Sequence, residues 1–419
     1  MGRMDDTPRP ARVGVRHGAL RRSSTWANAL KVLLTGVIVV ALSGVTVAAY
    51  AVWGLAQEIE TVDIVPNPDP DAVGAGQQTI DGAFSILLVG TDSRQGQLLD
   101  DGEEGELNDV NLLLHVSEDH QSATVVSFPR DLMVPIPSCP GPDGEEGYYS
   151  AMSEQMLNTA MSYGGLPCVV RTIENLTGME IPYAGLITFD GVIGISNAVG
   201  GVTVCLTEPI YDPMTEFSWP AGEVTLAGVD ALQFLRTRYG VGDGGDKSRI
   251  SNQQVFMSAL VRQLRSAETL SNPIKVYGLA KAGVENVTLS SNMASVQFLQ
   301  ALAGTVKDID LDRVAFVQYP TFSHPYQQGR LTPDYGSAEV LINVILSGQP
   351  FEIAGTGEGV TQAPTAEEAP VENPAEVPAE TGDGTEAPAT ETPPTTVLPP
   401  NVTGQTAGQE TCSAGRTVL

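Results

Sequence analysis

The sequence predicts an α/β (α+β) domain with a central mixed sheet flanked by helices, and three observations point to it. From about residue 81 to 350, short apolar runs of strand length alternate with stretches of helical spacing. Ahead of that region, Val32–Leu55 runs for 24 residues without a charge. Behind it the composition changes sharply, and residues 352–411 hold no Lys, Arg or aromatic side chain.

At the N-terminus, residues 1–31 carry seven basic side chains against Asp5 and Asp6, a local charge of +5. The whole chain carries −28, so the remainder holds −33. That asymmetry argues against a nucleic-acid-binding domain beyond the leader, because neutralising phosphates needs Lys and Arg. About 20 apolar residues span a bilayer core, so Val32–Leu55 predicts one transmembrane helix, with Tyr50 and Trp53 near its far interface. The basic flank places the N-terminus in the cytoplasm and the following domain outside a cell membrane. A cleaved signal peptide would have a shorter apolar core of roughly 7–15 residues. Residues 56–80, with Pro66, Pro68 and Pro70, read as a linker. Residues 351–419 read as a disordered tail rich in Pro, Glu, Thr and Ala, too poor in apolar surface to offset the entropy of ordering.

An exported domain permits disulfides. Cys139 lies in a Pro/Gly loop and Cys168 just after Gly164-Gly165, and a bridge between them is favoured over two unpaired thiols. Closing that loop would contribute roughly 3–4 kcal/mol in the chain-entropy model. Cys205 lies in an apolar strand and reads as buried, and the pairing of Cys412 stays open. No C-x-x-C spacing suggests a metal-thiolate site.

Within the domain, Ile86–Val89 reads as a buried strand ended by Gly90, with Asp92 and Arg94 emerging where open α/β sheets place ligands. Asn108-Asp109-Val110 opens a second strand, Asn111–Val116, and a third, Ala123–Phe128, runs into Pro129-Arg130-Asp131. Farther along, Leu226–Leu235 has helical spacing and leads to Arg236, Arg238, the glycine-rich stretch 240–245 and Asp246. A second helix follows, with Arg249 and Gln253 four apart on one face near its N-terminus, where backbone N–H groups favour phosphate. Arg236 and Arg238 would diverge by about 200° on a regular helix, so they face one ligand only if the backbone becomes extended there. Arginines beside carboxylates, in a domain short of basic residues, suit phosphate directly and a divalent ion bridging to it. The alternative is an internal Arg–Asp salt-bridge network. His115 alternates within an apolar strand and reads as core or edge. No H-E-x-x-H helix, G-x-S-x-G elbow or Walker-type loop is present.

Taken together, ILLVGTDSR (86–94), NDVNLLLHV (108–116), SFPRDLMVPIP (127–137), MSYGGL (161–166), FDGVIGISNAVGGVTV (189–204), AGVDALQFLRTR (227–238) and GDKSRISNQQ (245–254) resemble the LytR–CpsA–Psr family of envelope proteins. The resemblance covers residues 81–350. It implies a phosphotransferase that moves a glycopolymer from a polyprenyl-pyrophosphate carrier to peptidoglycan through a phosphodiester. By motif position, Arg94, Arg130, Arg236, Arg238, Arg249 and Gln253 would hold the pyrophosphate. Asp92 and Asp109 would hold Mg²⁺ or another divalent cation. Asp109 or Asp131 would act as base beside Arg130, with the choice open. Two departures stand out: Asn108 and Val110 flank Asp109 where many relatives have Ser and Thr, and Asn252 occupies a position where many have Arg. A polyprenyl-pyrophosphate hydrolase or a non-catalytic lipid- or wall-binding module would use the same residues, and the sequence does not name the glycopolymer.

Overall fold

Side-chain alternation along Phe84–Thr91 sets the centre of the fold. Leu87 and Val89 point to one face of the sheet, while Phe84 and Ile86 point to the other. The structure is a computed structural model that describes residues 25–57, 59–64, 77–93, 106–141, 144–266, 272–363 and 395–416. It divides near Gly54 into two units.

The first unit supplies the helix α1 (Thr25–Gln57), 33 residues long. It begins inside the basic leader, at Thr25, where Ala27, Ala29, Leu30 and Lys31 favour helix. Several side chains in its second half lie outside the described residues, and among the described residues no helix is long and apolar enough to cross a membrane. The membrane span therefore rests on the sequence.

The second unit is built on two sheets. Their strands, in chain order, are β1 (Thr61–Val62), β2 (Phe84–Thr91), β3 (Asn108–Val116), β4 (Ala123–Phe128), β5 (Tyr183–Ile187) and β6 (Val202–Leu206). After them come β7 (Gly222–Leu226), β8 (Val287–Ser290), β9 (Val314–Gln318), β10 (Val360–Gln362), β11 (Gly404–Thr406) and β12 (Thr411–Ser413). The main sheet has eight strands in the order β1-β8-β5-β2-β3-β4-β9-β11 and is mixed. β2, β3 and β4 form an antiparallel meander, and β5 and β9 join it in parallel. The smaller sheet runs β7-β6-β12-β10. The linker is corrected in part, because Thr61–Val62 pairs with β8 and Ile64 and Ile80 are buried.

Helices cover both faces of the main sheet, as its apolar pattern on both sides requires. On one face α2 (Gly165–Thr177) and the final helix, Tyr335–Ser347, pack against Leu87, Leu113 and Val126. On the other face lie α3 (Phe189–Val199), α4 (Val229–Arg236) and α5 (Asp246–Arg265) toward the strand ends that carry the charged residues. The helix expected from Leu226 starts three residues later, because Leu226 completes β7 against Val202 and Gly228, at φ +59°, turns the chain into the helix.

The disordered tail is corrected at both of its ends. Residues 351–363 and 395–416 are structured: β11 extends the main sheet on β9, and β12 inserts between β6 and β10. Residues 364–394 lie outside the described residues. The average composition concealed a few apolar anchors, for Leu398, Val402, Ala407 and Cys412 are all buried. Cys412 is joined to Cys205, a pairing the sequence did not reveal, and Cys139 is joined to Cys168.

Candidate active site

Three turns and one helix start meet at the same end of the main sheet. β2 ends at Thr91, and Asp92 follows with its carboxylate Oδ1 accepting the Leu107 N–H at 2.8 Å. Its own N–H donates to the Leu107 carbonyl at 3.1 Å, so Asp92 closes the neck of the loop that carries Arg94. Arg94 itself lies outside the described residues. At the start of β3, Asn108 is fully buried, bonding Asn111 and the Met161 N–H. The neighbouring departure from the family pattern is thus a packing residue, and it leaves Asp109 turned toward the site.

Arg130, in the turn after β4, is the hub. Its Nη1 lies 2.6 Å from Asp109 Oδ1, and its Nε lies 3.9 Å from both Asp131 and Asp246. Its backbone N–H donates to Asp246 Oδ2 at 3.1 Å. Burial alone would make Arg130 give up its proton more easily, but Asp109, then Asp246 and Asp131, outweigh it and hold the guanidinium charge more tightly.

Asp246 is the first residue of α5, and one turn on Arg249 reaches back to it at 2.7 Å. Both side chains are only 5% exposed. Arg249 Nη2 also donates to the Asp109 carbonyl at 3.1 Å, which ties α5 to β3. Burial pushes Arg249 below the ordinary guanidinium value, with Asp246 opposing the shift and Arg130 and Arg238 adding to it. A cation so crowded by other cations gains from any anion that arrives.

The chain becomes extended at Thr237, with φ −59° and ψ 133°, and this separates the two arginines of Arg236-Thr237-Arg238. Arg236 lies over the Phe189 ring at 4.5 Å, a cation–π contact. Arg238 turns the other way and reaches Asp131 at 3.7 Å. The extended backbone that the sequence reading required at this point is present, and it sets Arg236 in the lining of one cavity and Arg238 in the lining of another. Asp131 also receives Arg330 Nη1 at 2.5 Å. Sequence reasoning missed Arg330 and the Phe189 ring. The scarcity of basic residues in the domain was the signal that could have singled out Arg330, since each arginine there is conspicuous.

Gln253 Nε2 donates to the Leu235 carbonyl at 2.9 Å, and Asn252 Nδ2 to the Phe234 carbonyl at 2.7 Å. Both satisfy carbonyls left open in the last turn of α4 and fix its end against α5. Asn252 is 1% exposed and faces α4, so the second departure from the family pattern also falls on packing.

Behind the charged residues lies a cavity of about 190 Å³ between the sheet and α3–α5. Leu88, Val110, Ile195, Leu235, Met257 and Leu260 are among its walls, while Asp109, Arg236, Arg249 and Gln253 stand among its lining residues. Gly90 keeps one wall open: a Cβ there would sit 3.0 Å from Val110 Cβ. Arg130, Arg236, Arg238, Arg249 and Arg330 oppose Asp92, Asp109, Asp131 and Asp246, a surplus of +1. In a chain of net charge −28, a cationic cluster over an apolar cavity fits an amphiphile with an anionic head.

Asp92 and Asp109 stand on adjacent chain segments at the ends of β2 and β3. Among the described residues no group of three or more metal-type ligands occurs. Each of the two carboxylates holds a protein partner, Asp92 the Leu107 N–H and Asp109 the Arg130 guanidinium.

The LytR_cpsA_psr family model matches residues 54–332. Over 293 residues the chain is 33% identical to the cell wall biosynthesis protein LcpA of Corynebacterium glutamicum, covering 63% of this chain and 54% of that protein. It is 24% identical over 286 residues to the polyisoprenyl-teichoic acid–peptidoglycan teichoic acid transferase TagU of Enterococcus faecalis, covering 67% of this chain and 86% of that one. The chain spans about half the length of the first curated relatives it matches. Among solved structures, a LytR-Csp2A-Psr enzyme from Actinomyces oris superimposes with a TM-score of 0.51 at 22% identity, over 68% of this chain and 95% of that one. That likeness shows the fold.

Proposed function

The chain belongs to the LytR_cpsA_psr family, and from that premise we propose that it transfers a glycopolymer from a polyprenyl-pyrophosphate carrier to peptidoglycan through a phosphodiester. One observation carries the reading: the apolar cavity is closed at its polar end by Arg236 and Arg249, so a single ligand must be apolar in one part and anionic in the next. Polyprenyl pyrophosphate has that construction.

In this reading Arg130, Arg236 and Arg249 hold the pyrophosphate by charge-assisted bonds while the isoprenoid chain enters the cavity. Phosphoryl transfer needs positioning and charge neutralisation more than covalent help, and the residues supply both. Arg130 and Arg249 are already held by aspartates and Arg236 lies over the Phe189 ring, so they need little rearrangement when the phosphates arrive. Bound at Asp92 and Asp109, Mg²⁺ would add charge neutralisation at the phosphate oxygens. Asp109 lines the lipid side of the network and Asp131 the opposite side, which favours Asp131 as the group that accepts the acceptor's proton. The uncharged stretch Val32–Leu55 is proposed as the single membrane anchor, with the N-terminus cytoplasmic and the catalytic domain outside, where carrier and wall meet.

The cavity-and-clamp reading is tested by thermal melts of the full-length chain in detergent. A polyprenyl pyrophosphate at 100 times its Kd should add about 2.7 kcal/mol of stability. Inorganic pyrophosphate or polyprenol alone, at the same concentration, should add far less. Equal stabilisation by pyrophosphate alone would remove the lipid cavity from the account.

A further inference from the structure

The charged network is a partition with a space on each side of it. On one side lies the apolar cavity. On the other is an open cleft of about 640 Å³ that shares Asp131, Arg238 and Asp246 with the network. Its far wall is the turn between two short paired strands, Thr321–Ser323 and Leu331–Pro333.

That wall is firmly held. The Leu331 N–H donates to the Asp131 carbonyl at 3.2 Å, and Arg330 pairs with the Asp131 carboxylate. His324 Nδ1 accepts from the Gln327 N–H at 3.0 Å, and its Nε2 lies 3.3 Å from Glu154. These bonds shape the turn and leave Tyr326 91% exposed at the cleft. Within the partition, Arg238 Nε is buried without a hydrogen-bond partner. The cleft thus offers an exposed aromatic ring beside Gln327, Arg238, Lys247 and carboxylates, a lining for a neutral or weakly charged, hydroxyl-rich ligand.

We propose that this cleft is the glycan acceptor site, an inference that rests on the transferase reading above. In-line phosphoryl transfer puts the attacking and leaving oxygens on opposite sides of the phosphorus. The leaving polyprenyl phosphate belongs to the apolar cavity, so the attacking sugar hydroxyl must come from the opposite side, where this cleft opens. The Arg236-Thr237-Arg238 reversal places one arginine on each side of that line. The acceptor oxygen forms a bond to the sugar-bearing phosphorus, the bond from that phosphorus to the bridging oxygen breaks, and polyprenyl phosphate leaves with the electron pair. The hydroxyl proton passes to the Asp131 carboxylate at the cleft floor.

The test uses the full-length chain in detergent, soluble peptidoglycan oligomers as acceptor and a polyprenyl-pyrophosphate oligosaccharide as donor. Tyr326→Ala, an exposed change that should leave the melt unaltered, should raise the acceptor KM roughly 3- to 10-fold. Donor Kd should stay as in the wild type. Ile195→Phe, which narrows the apolar cavity, should do the reverse. If Tyr326→Ala weakens donor binding and leaves acceptor KM alone, the cleft holds the donor's own sugars and the acceptor assignment is wrong. If neither value moves while wild type binds donor normally, the cleft is no glycan site and only this inference falls. Failure of the wild type to bind donor at all would remove the transferase reading and this inference with it.

Discussion

Arg249 and Asp246 form a pair that almost no water reaches, and a substitution that breaks it should behave differently from one at Arg236. Arg249→Ala leaves buried Asp246 with only the Arg130 N–H and the Arg130 guanidinium 3.9 Å away, which should cost up to about 3 kcal/mol of stability as well as activity. Arg236→Gln removes a cation that lines the apolar cavity, so donor affinity should fall roughly 10- to 150-fold. Paired melts and binding curves for the two variants check this. The sequence posed clamp and salt-bridge network as alternatives; the structure shows the ion pairs, and on the reading proposed above they also frame the clamp. That distinction was not legible because ion pairs such as Arg130–Asp109 join residues far apart in the chain. His115 gives a separate test of burial. Its folded value is lowered from 6.5 by desolvation, so its contribution to stability is fully present above pH 6.5 and lost as pH falls from there toward the folded value. His115→Asn should flatten that part of a stability–pH curve, measured by denaturant unfolding between pH 7 and 5.

The C-terminal strap is the element on which the structure departs furthest from sequence expectation. β12 lies between two strands of the smaller sheet, and Arg262 Nη1 on α5 donates to the Ala407 carbonyl at 2.7 Å. Buried Gln405 bonds Ser258 at 2.8 Å on the same helix, and the Arg416 N–H bonds the Gly240 carbonyl at 2.9 Å in the glycine-rich turn before Asp246. The strap therefore braces the helix that carries Arg249 and Gln253. Ending the chain at residue 363 should unfold the smaller sheet and abolish turnover. Cys412→Ser should lower Tm by roughly 5–8 °C, since the bridge to Cys205 closes a long loop. Replacing residues 364–394 by a Gly/Ser run of equal length should leave the melt unchanged. Strands β2 and β3 were readable because each carries a continuous apolar run, and β4 because Ala123, Val125, Val126 and Phe128 make most of it apolar. β11 and β12 were not, because their three residues apiece, such as Thr411–Ser413, gain burial only once the sheets they join exist.

At the scale of the whole molecule, charge and hydropathy were the most legible features. A basic leader, an uncharged 24-residue stretch and an acidic remainder describe a chain that keeps its catalytic domain at a membrane surface, on the reading proposed above. The apolar cavity could not be read in the same way, because it forms only where side chains of β2, β3 and three separate helices converge. Its place beneath the arginines is what links membrane, carrier and wall in one account. The most direct measurement is transfer itself, with full-length chain, Mg²⁺, peptidoglycan and a polyprenyl-pyrophosphate oligosaccharide labelled in the sugar. The account predicts label covalently bound to peptidoglycan through a phosphodiester, polyprenyl phosphate released in equal amount, and loss of both with Arg236→Gln. Label released only as free sugar phosphate, with none on the peptidoglycan, would contradict it.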